Sequence, residues 1–335
     1  MNNEELENKV FLITGGTGSF GQSFTRYILD NTSNTKVRIF SRDELKQAEM
    51  RSQFNNNPRL RFLIGDVRDA DRVNRAVEGA DYVIHAAAMK RVEVVEYNPF
   101  ESIQTNVIGT QNVINASINK NVKKVVALST DKASAPSTLY GATKLCLEKI
   151  VTQGNHYSGD NGTRLSCVRY GNVVGSRGSI VPLFTKMAET GEITITDPRM
   201  TRFWITLPKA VDFVVSSLLD MHGGEVFIPK LPSMRITDLA KTIAPNCKIE
   251  YIGIRASEKL HESMVSPDES NSAIDLGDRY ALLSTYSKDQ GKYDLNNLMD
   301  YGFEYSSGNN TKWLTKEELL ELVEESKTLQ QVVNE

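Results

Sequence analysis

Short apolar runs alternate with amphipathic stretches through the first half of the chain. KVFLIT, KVRIF, LRFLIGD, ADYVIHAA, VKKVVALST and TRLSCVRYGNVVG recur at regular intervals, rich in β-branched residues, the pattern of strands buried on both faces of a parallel sheet. Between them GQSFTRYILDN, RDADRVNRAVEG and IQTNVIGTQNVINASINK place apolar residues at helical spacing. The alternation predicts an α/β fold built on a doubly wound parallel sheet.

After about Val174 the pattern loosens into Pro- and Gly-punctuated segments, and only the helix PKAVDFVVSSLLDMH and the strand EVFIPK look fit to rejoin the sheet. The expected division is a first body over 1–173 plus about 204–230, and a smaller discontinuous body over 174–203 and 231–335. The second ends in a helix whose start pairs Thr315 with Glu318 in a capping box.

A formal net charge of −3, with both signs dispersed, gives no electrostatic reason to expect nucleic acid or an anionic membrane as partner. No window approaches the roughly 20 apolar residues of a transmembrane helix, and the polar start MNNEELENK does not read as a signal peptide. Cys146, Cys167 and Cys247 are scattered, without the spacing of a disulfide framework or a metal site. The expectation is a cytoplasmic protein with reduced thiols and no metal.

Immediately after the strand VFLIT comes Gly15-Gly16-Thr17-Gly18-Ser19-Phe20-Gly21, a glycine-rich turn that opens a helix. Glycines allow a tight turn and close backbone approach, and the helix N-terminus offers N–H groups and a positive dipole end to a pyrophosphate. In this strand-turn-helix context the turn predicts a Rossmann dinucleotide site formed by Gly15, Thr17, Gly18, Ser19, Phe20 and Gly21. The second strand ends at Ser41-Arg42, about 20 residues on, where NAD-specific proteins usually carry a carboxylate. Arg42 suits a 2′-phosphate, so NADP is favoured over NAD, although Asp43 could simply hold Arg42 in a surface ion pair. Asp66-Val67, after LRFLIG, stands where the adenine edge would lie or where a helix would need an N-cap.

In Tyr140-Gly-Ala-Thr-Lys144 the spacing sets phenol and ammonium on one helix face, which would favour the ionised phenol as a base. The preceding strand ends Leu128-Ser129-Thr130, within reach of the same point, and Asp131 and Lys132 follow at the sheet edge where open α/β folds bind ligands. Lys132 is expected to act as a base with its pKa depressed by desolvation and by Lys144 or Lys90, and Asp131 as an acid. The bland alternative for the pair is a surface salt bridge.

The GGTGSFG turn, Asp66-Val67, His85-Ala-Ala-Ala88, Asn106-Val-Ile-Gly109, Thr130 and Tyr140/Lys144 together resemble the extended short-chain dehydrogenase/reductase family over most of the chain. STDKASAPSTLYGATK is similar to its inverting sugar-nucleotide 4,6-dehydratase branch, in which Lys replaces the Glu of the retaining Thr-Asp-Glu. The resemblance implies UDP-N-acetylglucosamine as substrate, a keto product with inverted C5 on the way to pseudaminic acid, and a dimer or hexamer. It implies further that Ala86 and Ala87 line the cofactor site, that Lys144 holds the nicotinamide ribose, and that Lys90, Asn172, Arg177, Arg202, Arg255 and Glu258 meet the substrate. Ala256-Ser257 stand where relatives read Pro-Gly. A UDP-N-acetylhexosamine 4-epimerase, or a non-catalytic protein sensing NADP, are the competing expectations.

Overall fold

The computed structural model describes residues 3–159, 162–174 and 180–334. Its first six strands are β1 (Val10–Thr14), β2 (Lys36–Ser41), β3 (Leu60–Ile64), β4 (Tyr82–His85), β5 (Lys124–Leu128) and β6 (Arg164–Val168). There follow β7 (Asn172–Val174), β8 (Glu192–Ile195), β9 (Thr201–Thr206), β10 (Glu225–Pro229), β11 (Ser233–Arg235), β12 (Lys248–Tyr251), β13 (Ser263–Val265), β14 (Ala273–Asp275), β15 (Arg279–Leu283) and β16 (Tyr305–Ser306).

The main sheet runs β14-β15-β10-β6-β5-β4-β1-β2-β3. From β3 to β10 every pairing is parallel, and the order in which strands are added reverses at β1, with β2 and β3 on one side of it and β4 on the other. That reversal opens a crevice at the carboxyl ends of the strands. Leu12, Ile13, Val83, Ile84, Val125 and Val126 are almost wholly buried, as strands covered by helices on both faces must be.

The helix Leu207–Asp220 and β10 join this core. The stretch 231–335 divides differently from the expectation. β14 and β15 extend the main sheet antiparallel, and Met264, Val265, Ile274 and Ala281 pack into its core. These strands are too short to carry a readable alternation, and β15 finds its partner in β10, far away in sequence.

A second apolar cluster gathers Val174, Phe184, Ile193, Trp204, Met234 and Leu239. The C-terminal helix Lys316–Asn334 docks on it through Leu319 and Val323. Its start carries the capping box: Thr315 N donates to Glu318 Oε2 at 2.8 Å and Glu318 N to Thr315 Oγ1 at 3.2 Å. No helix is long and apolar enough to cross a membrane among the described residues.

Candidate active site

The glycine turn sits between the ends of β1 and β4. Gly15 has φ of 68°, and a Cβ there would lie 2.9 Å from the Ala87 backbone, so only glycine fits this close approach. A Cβ on Gly21 would meet Gly16 Cα at 2.5 Å, which lets the helix Ser19–Asn31 press against the turn. The helix N-cap is Gly18, which brings no side chain to the first amides. Such an end suits a pyrophosphate.

Two adjoining cavities flank the turn and share Gly15, Ala87 and Ala88. One, of about 210 Å³, is lined by Thr17, Ser41, Arg42, Asp66 and Val67. The other, of about 360 Å³, holds Gly18, Ser19, Phe20, Gly21, Ala86, Lys90, Thr130, Tyr140 and Lys144. The groove is shaped for an extended two-lobed ligand, and the residues expected to bind a dinucleotide all line it.

At the first lobe the ion pairs and helix caps are as follows. Arg42 faces Asp66, not Asp43, with Nη1 3.7 Å from Oδ2. Asp43 instead caps the helix Glu44–Gln53 and pairs with Lys46 at 3.1 Å. Asp66 is not an N-cap, because Asp69 caps Ala70–Val77. Asp66 is held by Arg68, whose Nη2 donates to Oδ2 at 2.7 Å, and despite partial burial this contact keeps its carboxyl below the usual range.

Thr130 and Tyr140 line the second lobe, and the charges of Asp131 and Lys132, which follow Thr130, act on the Tyr140 phenol. Asp131 and Lys132 form a short 3-10 turn directly after β5, and Thr130 donates to Asp131 Oδ1 at 2.9 Å. Lys132 Nζ donates to the same oxygen at 3.1 Å and stands 3.2 Å from Glu262 Oε1. Asp131 is 1% exposed and Glu262 3% exposed, so this is no surface salt bridge. Asp131 Oδ2 and Glu262 Oε2 are buried without a hydrogen-bond partner among the described residues.

The expected depression of Lys132 is wrong. Burial pulls its pKa down, but Asp131 and Glu262 together outweigh burial and raise it above the ordinary lysine value. Lys132 rests as an ammonium. The expected help of the Lys144 ammonium to the Tyr140 phenolate is not seen either. Both side chains lie on the buried face, yet Lys144 Nζ donates to the Leu128 carbonyl at 2.7 Å, the acceptor that the end of β5 presents. Burial lowers Lys144 to about 8 and raises Tyr140 to about 12. The main influences favouring the Tyr140 phenolate are the charge of Lys132 and a hydrogen bond with Thr130.

His85 and Asn106 are supports. The imidazole bridges Thr14 Oγ1 at 2.7 Å and Thr110 Oγ1 at 3.0 Å, and burial and Lys144 lower it to about 3, so it is neutral. Asn106, in a π-helical turn, accepts from Met89 N at 2.8 Å and donates to Thr143 Oγ1 at 3.1 Å, fixing the loop after β4 to the helix Leu139–Ser158.

The expected substrate residues are dispersed. Asn172 opens β7, and Lys90 lines the second cavity, where desolvation lowers its pKa. Arg202 is 8% exposed and donates to the carbonyls of Thr201, Lys259 and Leu260. Arg255 is exposed, 3.7 Å from Glu93, while Glu258 Oε2 accepts from Arg255 N at 3.3 Å. Arg177 lies outside the described residues.

Sequence reasoning missed three groups here. Tyr170, two residues past β6, lines the second cavity. Arg169 is wholly buried and bonds Glu148 and Glu269. Glu262 closes the lysine cluster, and its only sequence signal was its place in EKLHE beside residues already singled out.

A family model described as polysaccharide biosynthesis protein matches residues 11–284. The chain is 51% identical over 329 residues to UDP-N-acetylglucosamine 4,6-dehydratase (inverting) of Campylobacter jejuni subsp. jejuni serotype O:2, covering 95% of this chain and 98% of that protein. It is 42% identical over 331 residues to UDP-glucose 4-epimerase of Rickettsia massiliae, covering 94% and 95%. Among solved structures, that of Pen from Bacillus thuringiensis superposes with a TM-score of 0.87 at 39% identity, covering 96% of this chain and 98% of that one.

Proposed function

The chain belongs to the polysaccharide biosynthesis protein family, and on that premise we propose that it is a UDP-N-acetylglucosamine 4,6-dehydratase that inverts C5, an NADP-dependent hydro-lyase. The observation that carries the reading is the pair of buried Asp131 and half-buried Lys132 after the carboxyl end of β5, whose charges act on Tyr140. Simple oxidation or epimerisation at C4 has no use for a second acid and base next to the tyrosine. The resemblance to the Campylobacter enzyme supports the same choice.

The Gly15–Gly21 turn and Lys144 would hold a nicotinamide dinucleotide in the groove, and it would supply the hydride chemistry between C4 and C6 of the sugar. Burial keeps Tyr140 protonated at rest, so its phenol proton first passes to solvent, a loss that the positive charge of Lys132 favours, and the phenolate then accepts the proton of the C4 hydroxyl. The C4 carbonyl then acidifies the C5 proton. Lys132 passes one ammonium proton to Asp131 Oδ1, 3.1 Å away, breaking an N–H bond and forming an O–H bond. The amine so freed takes the C5 proton, and Asp131, now a carboxylic acid, gives its proton to the departing C6 hydroxyl, which leaves as water. One proton shift thus creates base and acid together. A proton delivered to C5 on the opposite face, from Lys132 or a water it orients, completes the inversion.

In this reading Lys144 holds the nicotinamide ribose, Lys90, Asn172, Arg202 and Arg255 serve the sugar diphosphate, and Glu258 the uridine ribose. Arg42 meets the 2′-phosphate of NADP. The keto product feeds pseudaminic acid assembly in the cytoplasm. Exposed apolar side chains at Val94, Tyr97, Phe100, Ile103 and Ile108 offer a face for a homo-oligomer.

The 4-epimerase reading keeps one argument, the 42% identity to the Rickettsia protein. Incubation with UDP-N-acetylglucosamine in deuterated water separates the two. Dehydration gives a keto product carrying deuterium at C5, and Lys132→Ala abolishes it while dinucleotide binding persists. Recovery of only 4-epimeric UDP-sugar, without C5 deuterium, would rule the dehydratase out.

A further inference from the structure

Lys132 is held from two directions that have nothing to do with each other in sequence. Asp131 precedes it on the turn after β5, whereas Glu262 arrives from the segment that leads into β13. The backbone of Glu262 is pinned: its N–H donates to Ser307 Oγ at 3.0 Å, and its carbonyl accepts from Ser307 N at 2.8 Å. Its Oε1 lies 3.2 Å from Lys132 Nζ and 3.9 Å from Arg202 Nε. The carboxylate therefore stands between the lysine and an arginine of β9.

If Asp131 takes a proton from Lys132, it stops being an anion and loosens its hold on Nζ. Something else must keep the amine in place while it reaches for carbon. We propose that Glu262 is a positioning residue for the dehydration step, the carboxylate that stays ionised and anchors Lys132 Nζ after Asp131 has been protonated. This rests on the dehydratase reading and adds to it a residue outside the Thr130, Asp131, Lys132 and Tyr140 group.

Charge around the cluster fits the role. Burial alone would raise Glu262, but Lys132, Arg202 and Lys259 outweigh it and lower its pKa, so it remains a carboxylate. Lys132 is faced by Asp131 and Glu262, which favour its charged form, and by Arg202, which opposes it. Tyr140 lies close enough to feel the same charge. Removing the Glu262 charge therefore makes Lys132 easier to deprotonate, and removing its side chain frees Nζ to wander.

The test compares wild type, Glu262→Gln and Glu262→Ala in deuterated buffer with UDP-N-acetylglucosamine, following reduced-nicotinamide absorbance for oxidation at C4 and deuterium at C5 for exchange. We expect oxidation at C4 to persist in both variants, which also reports an intact fold. In Glu262→Gln the ascending limb of the pH profile for C5 exchange moves to lower pH by about one unit or more. In Glu262→Ala the plateau exchange rate falls by about tenfold or more, with KM changed by less than about threefold. Wild-type exchange and an unmoved limb in Glu262→Gln would overturn the proposal. So would loss of C4 oxidation in step with C5 exchange, the mark of a merely structural residue. Absence of C5 deuterium in the wild type would instead bring down the dehydratase reading, and this inference with it.

Discussion

A Cβ placed on Gly141 would overlap the backbone carbonyl oxygen of Lys132. The first turn of the helix Leu139–Ser158 thus packs directly on the turn that carries Asp131 and Lys132, and hydrogen is the only side chain with room there. Pro136 Cβ, 3.0 Å from the same point, closes the other side.

Gly141→Ala should therefore push the turn at Asp131–Ala133 outward. Overpacking of this kind costs about 1–3 kcal/mol. We expect a lower melting temperature and a fall in C5 exchange of about tenfold or more, because Nζ leaves its place between two carboxylates. An alanine variant with wild-type Tm and exchange would mean that the turn yields freely.

Arg42 is mostly exposed and has Asp66 as its partner. Arg42→Asp would set two carboxylates side by side at the mouth of the first cavity. Affinity for NADP should drop by about tenfold or more, with NAD losing far less. Titrating both dinucleotides against the variant measures this, and an unchanged ratio of dissociation constants would separate Arg42 from the 2′-phosphate.

The buried Arg169 guanidinium ties Glu148 on one helix to Glu269 on the 3-10 turn Pro267–Ser272, with bonds of 2.8 Å to an oxygen of each. Burial would raise Glu269, but Arg169 and neighbouring donors overcome it and bring the carboxyl down to about 2. A folded pKa below the unfolded one means that ionised Glu269 favours the fold. That contribution is complete above the unfolded value, about 4.5, and fades as pH falls toward 2. Glu269→Gln should lower stability by about 3–5 kcal/mol at neutral pH, and should flatten the loss that wild type shows between those limits. Urea unfolding at a series of pH values reads both effects.

Ser257 occupies left-handed backbone at φ of 64°, where glycine is at ease, and its carbonyl accepts from Ser137 Oγ at 2.8 Å. The backbone at Ser257 is therefore of the kind that glycine takes easily. A β-branched residue should not tolerate it: Ser257→Val is expected to destabilise by about 1–3 kcal/mol, while Ser257→Gly stays within about 1 kcal/mol of wild type. Equal stability of the two variants in thermal unfolding would show that this loop readily changes conformation.

Local patterns carried much of this protein. The alternation of apolar runs determined the parallel sheet, the glycines after β1 determined the cradle, and Thr315 with Glu318 determined a helix start, because each depends on residues a few positions apart. Thr130, Asp131, Lys132 and Tyr140 are likewise close in sequence, on the end of β5, the 3-10 turn after it and the helix that follows.

Tertiary structure decided what those groups are like once assembled. Spacing placed Lys144 on the face of Tyr140, but the nearest carbonyl, Leu128, claimed its ammonium. Composition could not show that Lys132 rests charged, since that follows from Glu262, brought in by the packing of the 262–265 segment against Ser307 and β16. Electrostatic energy depends on distance through space and on burial, and neither is written in the order of residues.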